Sequence, residues 1–362
     1  MSSDEPNSDQ TREALIAGTM PSYQELVAGK RYLWCRCGRS KNQPFCDGSH
    51  AGTGFQPVAY VAKCDKEEAL FCMCKRTGTP PFCDGTHANL PGGYKEETAE
   101  SIAASNLPWA PELEGGIHRL DGVCYTIRAA ATRPSNPGPF WMRTLVDAQR
   151  GAAWQTQVYI EVRDRPSAVL APSTPAQTIL FIADGSGTVE IGARRFQVGP
   201  TDGVMVLPGE GFRLTGDAGT CLQAFVSICS ADTLLRPAAT MPPFDESQPE
   251  RVARIDEQQR KAMGTRFFQH LVDGRMGAQN AVQFIGHIPQ SKASMHRHLY
   301  EEAVIVVAGE GVIWNENVRA VVRTGDVIFF PRKHVHSLQC TSPDGMDVLG
   351  VIHPGDNPGI NY

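Results

Sequence analysis

From about residue 116 onward, short apolar or β-branched runs alternate with Gly, Pro and Asp, the pattern of strands separated by tight turns. Residues 177–182, 203–207, 303–307, 318–322 and 326–330 are such runs. One stretch reads differently. Ser247-Gln-Pro249-Glu250 has the form of a capping box with proline in the first turn, which predicts a polar helix to about Met263, ahead of Gly264. That helix separates two β-units of comparable length. Upstream, residues 96–115 read as a short helix and a Pro-containing linker, and the first ten residues are acidic and polar.

Composition narrows the class. The chain has 362 residues, 41% hydrophobic and 20% charged, ordinary globular usage with length for two or three domains. A net charge of -5 without a basic block speaks against nucleic acid and against an anionic membrane surface as partners. No apolar signal region opens the chain and no run of about eighteen apolar residues occurs, so a cytoplasmic protein is expected.

Eleven cysteines are present, and six fall in one repeated line. Cys35-x-Cys37 and Cys46-Asp47-Gly48-Ser49-His50 recur as Cys72-x-Cys74 and Cys83-Asp84-Gly85-Thr86-His87. Each potential ligand is displaced by 37 positions, and Pro44/Pro81 and Phe45/Phe82 repeat in step. The remaining Cys64, Cys124, Cys221, Cys229 and Cys340 lie mostly in apolar strand-like stretches, where buried inert thiols are expected.

Thiolates with one imidazole are soft to borderline ligands, which suit an iron–sulfur cluster or tetrahedral zinc and exclude calcium or magnesium. Zinc sites usually pair two similar knuckles, whereas CxC followed by CDG(S/T)H is one asymmetric clip, which favours the cluster. Two zinc ions stapling a small lobe are the alternative. The line resembles the CDGSH iron–sulfur (NEET) family, whose pattern CxC-x2-(S/T)-x3-P-x-CDG-(S/T)-H both copies meet in full, over about residues 22–95. The resemblance implies two 2Fe–2S clusters, one on Cys35, Cys37, Cys46 and His50 and one on Cys72, Cys74, Cys83 and His87. Imidazole in place of one thiolate makes a cluster less negative and raises its potential. It also titrates near neutral pH, which would couple reduction to protonation or release the cluster.

The second β-unit carries His296-x-His298, Glu302 and Gly309, then Gly325, Pro331 and His336. Residues two apart on a strand share a face, so His296 and His298 can enter one cavity. These spacings resemble the two cupin motifs, which implies a divalent transition metal held by His296, His298, Glu302 and His336 inside a small β-barrel. Lys333 and Cys340 depart from the family's usual glycine and asparagine. His334 is the rival of His336, and Glu301 is the neighbour of Glu302.

Aligning residues 184–187 of the first unit with 308–311 places Pro172, Thr174 and Thr178 at the positions of His296, His298 and Glu302, an offset of 124. Aligning Pro208 with Pro331 puts Arg213 opposite His336, and a guanidinium cannot ligate a cation. The first unit is therefore expected to serve packing, assembly or substrate enclosure. Gly185-x-Gly187 reads as a hairpin turn without the strand-to-helix context of a dinucleotide fingerprint.

The expected fold is mainly β, with two cupin-type β-barrels, the first without metal ligands, preceded by a small α+β tandem CDGSH iron–sulfur domain. The expected divisions are a polar segment 1–21, the cluster domain 22–95, a linker 96–115, a degenerate cupin 116–232, a linker with helix 233–264 and a metal-binding cupin 265–362. The leading functional expectation is a mononuclear non-haem iron oxidoreductase, an oxygenase of a small molecule, with both clusters relaying electrons to Fe(II). Manganese, zinc or nickel in a non-redox isomerase, hydrolase or decarboxylase is the second expectation. A redox sensor or cluster-transfer protein is the third. Expected partners are a small-molecule substrate near Phe284 and Trp314, a reductase or ferredoxin donor, and a second copy of the chain in a homodimer.

Overall fold

The duplicated cysteine line folds as an exchange of strands. In the computed structural model, which describes residues 13–92, 104–355 and 357–362, one compact unit comprises Met1–Tyr94 with Gly359–Tyr362 and the other Lys95–Pro358. The first copy of the repeat contributes β1 (Ser22–Leu26) and β2 (Arg31–Trp34), and the second contributes β3 (Val58–Val61) and β4 (Glu67–Phe71). They pair across copies: β1 lies antiparallel to β4, with Ser22 opposite Phe71, and β2 to β3, with Trp34 opposite Val58. Neither copy closes a sheet alone. The two share a core of Leu26, Trp34, Ala62, Ala69, Phe71, Cys72 and Cys74. Phe45 and Phe82, the repeated aromatics, flank Phe71 with ring centroids 5.2 and 5.4 Å away.

The helical part of this unit among the described residues is one 3-10 turn, Thr86–Asn89. Tyr362 stacks on Tyr23, with centroids 5.6 Å apart and planes 9° from parallel.

The larger unit is built from antiparallel strands in two similar barrels. Side-chain alternation divides it into three apolar layers. On the strand Glu301–Ala308, Val304 and Val306 enter the second barrel, whereas Ala303 and Ile305 face a layer shared with Tyr159, Phe181 and Phe225 of the first. The first barrel is filled by its own cluster, which includes Leu180, Val189, Phe212 and Val226. Strand register repeats as the sequence does. Thr178 opposes Val206 and Ile228, and Glu302 opposes Phe330 and Ile352, each partner again 124 positions on.

The barrels trade edge strands, so strand partners do not change at the expected boundaries. Tyr125–Arg128 precedes the first barrel in the chain, yet pairs with Asp326–Phe330 of the second. Val252–Ala253, from the linker, pairs with Gly203–Val206 of the first.

The helix expected over 247–263 is absent. In its place stand the strand Val252–Ala253, the 3-10 turn Glu257–Gln259 and the strand Lys261–Met263. Tertiary contacts override the capping pattern there. Arg251 is fully buried and forms a bidentate pair with Glu210, NH1 to Oε2 at 2.6 Å and NH2 to Oε1 at 3.0 Å. Its backbone carbonyl accepts from Met205 N at 2.9 Å, so the segment spends its backbone groups on a sheet. The expected short helix of 96–115 lies partly outside the described residues; Ala104–Asn106 is a 3-10 turn and Glu112–Leu113 a strand. No helix among the described residues is long and apolar enough to cross a membrane.

Candidate metal centres

In the second barrel, His296 and His336 face each other across a bridge in which each backbone N–H donates to the other's carbonyl at 3.0 Å. Cross-strand partners share a face, and their rings lie 4.6 Å apart. Glu302 points inward with Val304 and Val306. Ligand atoms of His298, Glu302 and His336 all lie within 4.8 Å of one another. His296 stands beside this triad, outside that mutual distance.

The three histidines are oriented alike. Nδ1 meets a backbone carbonyl in each: Ser294 O at 3.0 Å for His296, Tyr300 O at 2.7 Å for His298 and His334 O at 2.8 Å for His336. A carbonyl only accepts, so Nδ1 carries the proton and Nε2 keeps its lone pair. This is the outer arrangement that metal-ligating histidines require. Stacking holds the rings: His298 lies 4.0 Å from Tyr300 at 9°, and His336 lies 3.8 Å from Phe330 at 22°.

The site is buried. His298, Glu302 and His336 are 0, 8 and 2% exposed. His298 Nε2 has no hydrogen-bond partner among the described residues and sits 3.3 Å from Glu302 Oε2. Burial, with repulsion from His296 and His298, holds His336 well below the ordinary histidine range. Burial likewise lowers His296, to about 4. Imidazole Nε2 atoms converging with a carboxylate fit a divalent transition metal.

The rivals are engaged elsewhere. His334 Nε2 pairs with Asp121 Oδ2, from the turn before Tyr125–Arg128. Nothing in the spacing around Asp121 announces that contact. Glu301, one residue from Glu302 and therefore on the opposite face, accepts from Ala153 N at 2.6 Å and Trp154 N at 2.8 Å. Phe284 packs with Phe268, Val282, Tyr300 and Ile352, so it adjoins the site through its neighbours. Trp314 is buried on a strand in register with Ser337.

The first barrel has no comparable set among the described residues. Thr178 occupies the place of Glu302, and Thr174 Oγ1 meets Thr233 Oγ1 at 2.6 Å. The expected equivalence of Arg213 and His336 is off by one. Gly187 opposes Gly216 as Gly311 opposes Cys340, an offset of 124, so Arg213 corresponds to Ser337 and buried Phe212 to His336. Arg213 NH1 instead reaches Glu190 at 3.3 Å.

In the smaller unit the motif residues build two loops of the same design. Ser40 and Thr77 hydroxyls donate to Phe45 O and Phe82 O at 2.6 and 2.7 Å. Asp47 accepts from Lys41 N and Ser49 N, and Asp84 from Gly78 N and Thr86 N, which closes each CDG turn. Gly48 and Gly85 take φ of 94° and 85°, a region that disfavours a side chain.

The donors converge in pairs. Cys35 and Cys37 sulfurs are 3.7 Å apart, Cys72 and Cys74 sulfurs 3.5 Å, and Cys83 Sγ lies 3.3 Å from His87 Nδ1. His50 Nδ1 instead lies 3.2 Å from Phe55 O. Tetrahedral zinc needs four ligands mutually within about 4 Å. Among the described residues no three of these donors gather within 4.8 Å. The second set thus shows two separate pairs, and the first set one, Cys35/Cys37. The Cys74 thiol beside it holds Cys72 down to about 6, whereas burial pushes Cys83 up to about 12. Of the other cysteines, Cys124 and Cys340 are buried, Cys221 and Cys229 half-buried and Cys64 exposed, an exception to the expectation of buried thiols.

A chain with paired sulfur donors in one unit and a histidine–carboxylate site in a double barrel defines a metal-binding fusion protein. The family model for iron-binding zinc fingers of the CDGSH type matches residues 9–51, and that for the cupin domain matches 287–352. The chain carries a CDGSH module, which suggests an iron–sulfur cluster, fused to a cupin, which suggests a mononuclear metal. It is 57% identical over 51 residues to mitochondrial CDGSH iron-sulfur domain-containing protein 3 of Mus musculus, 14% of this chain and 37% of that protein. Its counterpart in Homo sapiens is 54% identical over 52 residues, 14% of this chain and 41% of that protein. The chain thus spans about two fifths of the length of these curated relatives. Among solved structures, salicylate 1,2-dioxygenase from Pseudaminobacter salicylatoxidans is similar at 10% identity and TM-score 0.49, covering 68% of this chain and 86% of that one. A variant of Bacillus subtilis oxalate decarboxylase is similar at 11% identity and TM-score 0.49, covering 71% and 79%.

Proposed function

We propose that the chain is a mononuclear non-haem iron oxidoreductase, an oxygenase of a small molecule, supplied with electrons by two 2Fe–2S clusters. The observation that carries this reading is the triad His298, Glu302 and His336, two histidines and one carboxylate within 4.8 Å, with His296 beside it. That donor set with open positions is the usual holder of Fe(II) in oxygenases. When bound, the ion supplies open coordination positions and one-electron redox change, and the clusters supply single electrons. The protein's own part is positional. Carbonyls of Ser294, Tyr300 and His334 take Nδ1–H and turn Nε2 inward, burial keeps His296 and His336 neutral, and Tyr300 and Phe330 hold the rings. The paired donors Cys35/Cys37 and Cys72/Cys74, repeated in one compact unit, support two clusters. A reductase or ferredoxin would reload them, and a homodimer would allow transfer within one chain or across subunits.

The test is elemental analysis and electron paramagnetic resonance of anaerobically purified protein, followed by oxygen uptake with a reductant and small-molecule candidates. Iron beyond the roughly four atoms that two clusters need, and uptake lost in a Cys35→Ser, Cys72→Ser double variant, support the reading. Zinc in both units, or turnover indifferent to reductant, overturns it.

A further inference from the structure

The two copies differ beside their CxC pairs, where Gly38 in the first becomes Lys75 in the second, 37 positions on. The first copy has no room for a side chain there: Gly38 has φ of 76°, and a Cβ would come 1.9 Å from the Leu15 carbonyl oxygen. Lys75 takes the same left-handed backbone, φ 62°, which a residue with a Cβ rarely adopts. It is 8% exposed, unusual for a lysine.

Its ammonium joins the copies. Nζ donates to Cys72 O at 3.0 Å and lies 4.7 Å above the ring of Trp34, the residue before Cys35. Trp34 Nε1 donates to the same carbonyl at 2.8 Å, and Lys75 N donates to Cys72 Sγ at 3.2 Å. Burial lowers the pKa of the Lys75 ammonium, and the charges of Cys35, Cys72, Cys74 and Cys37 oppose that fall. No carboxylate pairs with it among the described residues. The strand exchange makes this possible by putting Trp34 and Cys72 in one core.

We infer that Lys75 is a positioning residue shared by both redox centres, a single buried cation that eases reduction of each and moderates repulsion when both are reduced. A buried charge acts through a lower dielectric than water, so one lysine can reach both. The inference rests on the two-cluster part of the proposal above, and on neither the barrel metal nor electron delivery to it.

Reductive titration of the full chain, followed by visible absorbance and electron paramagnetic resonance, tests it. Wild type should show two one-electron steps. Lys75→Met should make both harder, each by about tenfold in the reduction equilibrium, ~59 mV for one electron. Lys75→Arg, which keeps the charge, should leave both within about threefold. Two wild-type steps with either one unmoved in Lys75→Met overturn the shared cation and leave the clusters standing. Fewer than two steps in wild type overturn the two-cluster reading itself. Should Lys75→Met not retain clusters, Lys75→Arg decides: both steps at wild-type positions support the inference, and loss of clusters or displaced steps overturn it.

Discussion

Glu301 and Glu302 are adjacent and point to opposite faces of one strand, Glu301 clamping Ala153 N and Trp154 N, Glu302 meeting His298. The two carboxylates therefore have separable jobs. Glu302→Gln should lower mononuclear metal occupancy at least ~10-fold while leaving the smaller unit's iron intact. Glu301→Ala should keep the metal and lose about 1–3 kcal/mol of stability, because buried amides are left without an acceptor. Metal analysis beside urea denaturation separates them, and metal loss in Glu301→Ala would contradict the assignment.

His334 and His336 offer the same contrast. His334 is committed to Asp121, whereas His336 turns Nε2 toward the triad. His334→Gln should bind the metal within about threefold of wild type, and His336→Gln should lose it at least ~10-fold. Equal retention in both variants would show that His336 is no ligand.

Each cysteine set should carry one chromophore. Replacing Cys72 by Ser should remove about half of the visible absorbance, replacing Cys35 the other half, and the double variant should be colourless. Colourless wild-type protein prepared without air would rule the clusters out.

Acid should weaken the metal-free barrel before it touches ordinary carboxylates. Burial lowers His336 and brings His296 to about 4, against about 6.5 in an unfolded chain. As pH falls below about 6.5 the unfolded chain takes up protons that the folded one refuses. The contribution is thus complete above about 6.5 and declines as pH falls, the His296 part levelling off below about 4. Urea midpoints of chelator-treated protein across this window should fall more steeply for wild type than for a His296→Gln, His336→Gln double variant. Parallel slopes would count against it.

The strap between the barrels depends on the buried Arg251–Glu210 pair. Arg251→Ala leaves a buried carboxylate uncompensated and should cost about 3–5 kcal/mol. Chemical denaturation reads this directly, and a loss below about 1 kcal/mol would mean that Glu210 finds water or another partner.

Local chemistry was legible in the order of residues. Cysteines and histidines at fixed repeats, and a His-x-His pair with Glu302 in step, state which groups can converge, because ligand spacing depends on short-range backbone geometry. Period-two runs likewise announce the strands. What the order could not state is which strand lies beside which. That Trp34 meets Cys72, that Tyr125–Arg128 joins the farther barrel, that Asp121 takes His334, and that Arg251 sinks into a core where a helix seemed capped are all long-range pairings. Such pairings are decided by competition for buried area and hydrogen bonds across the whole molecule, and only the folded chain resolves that competition.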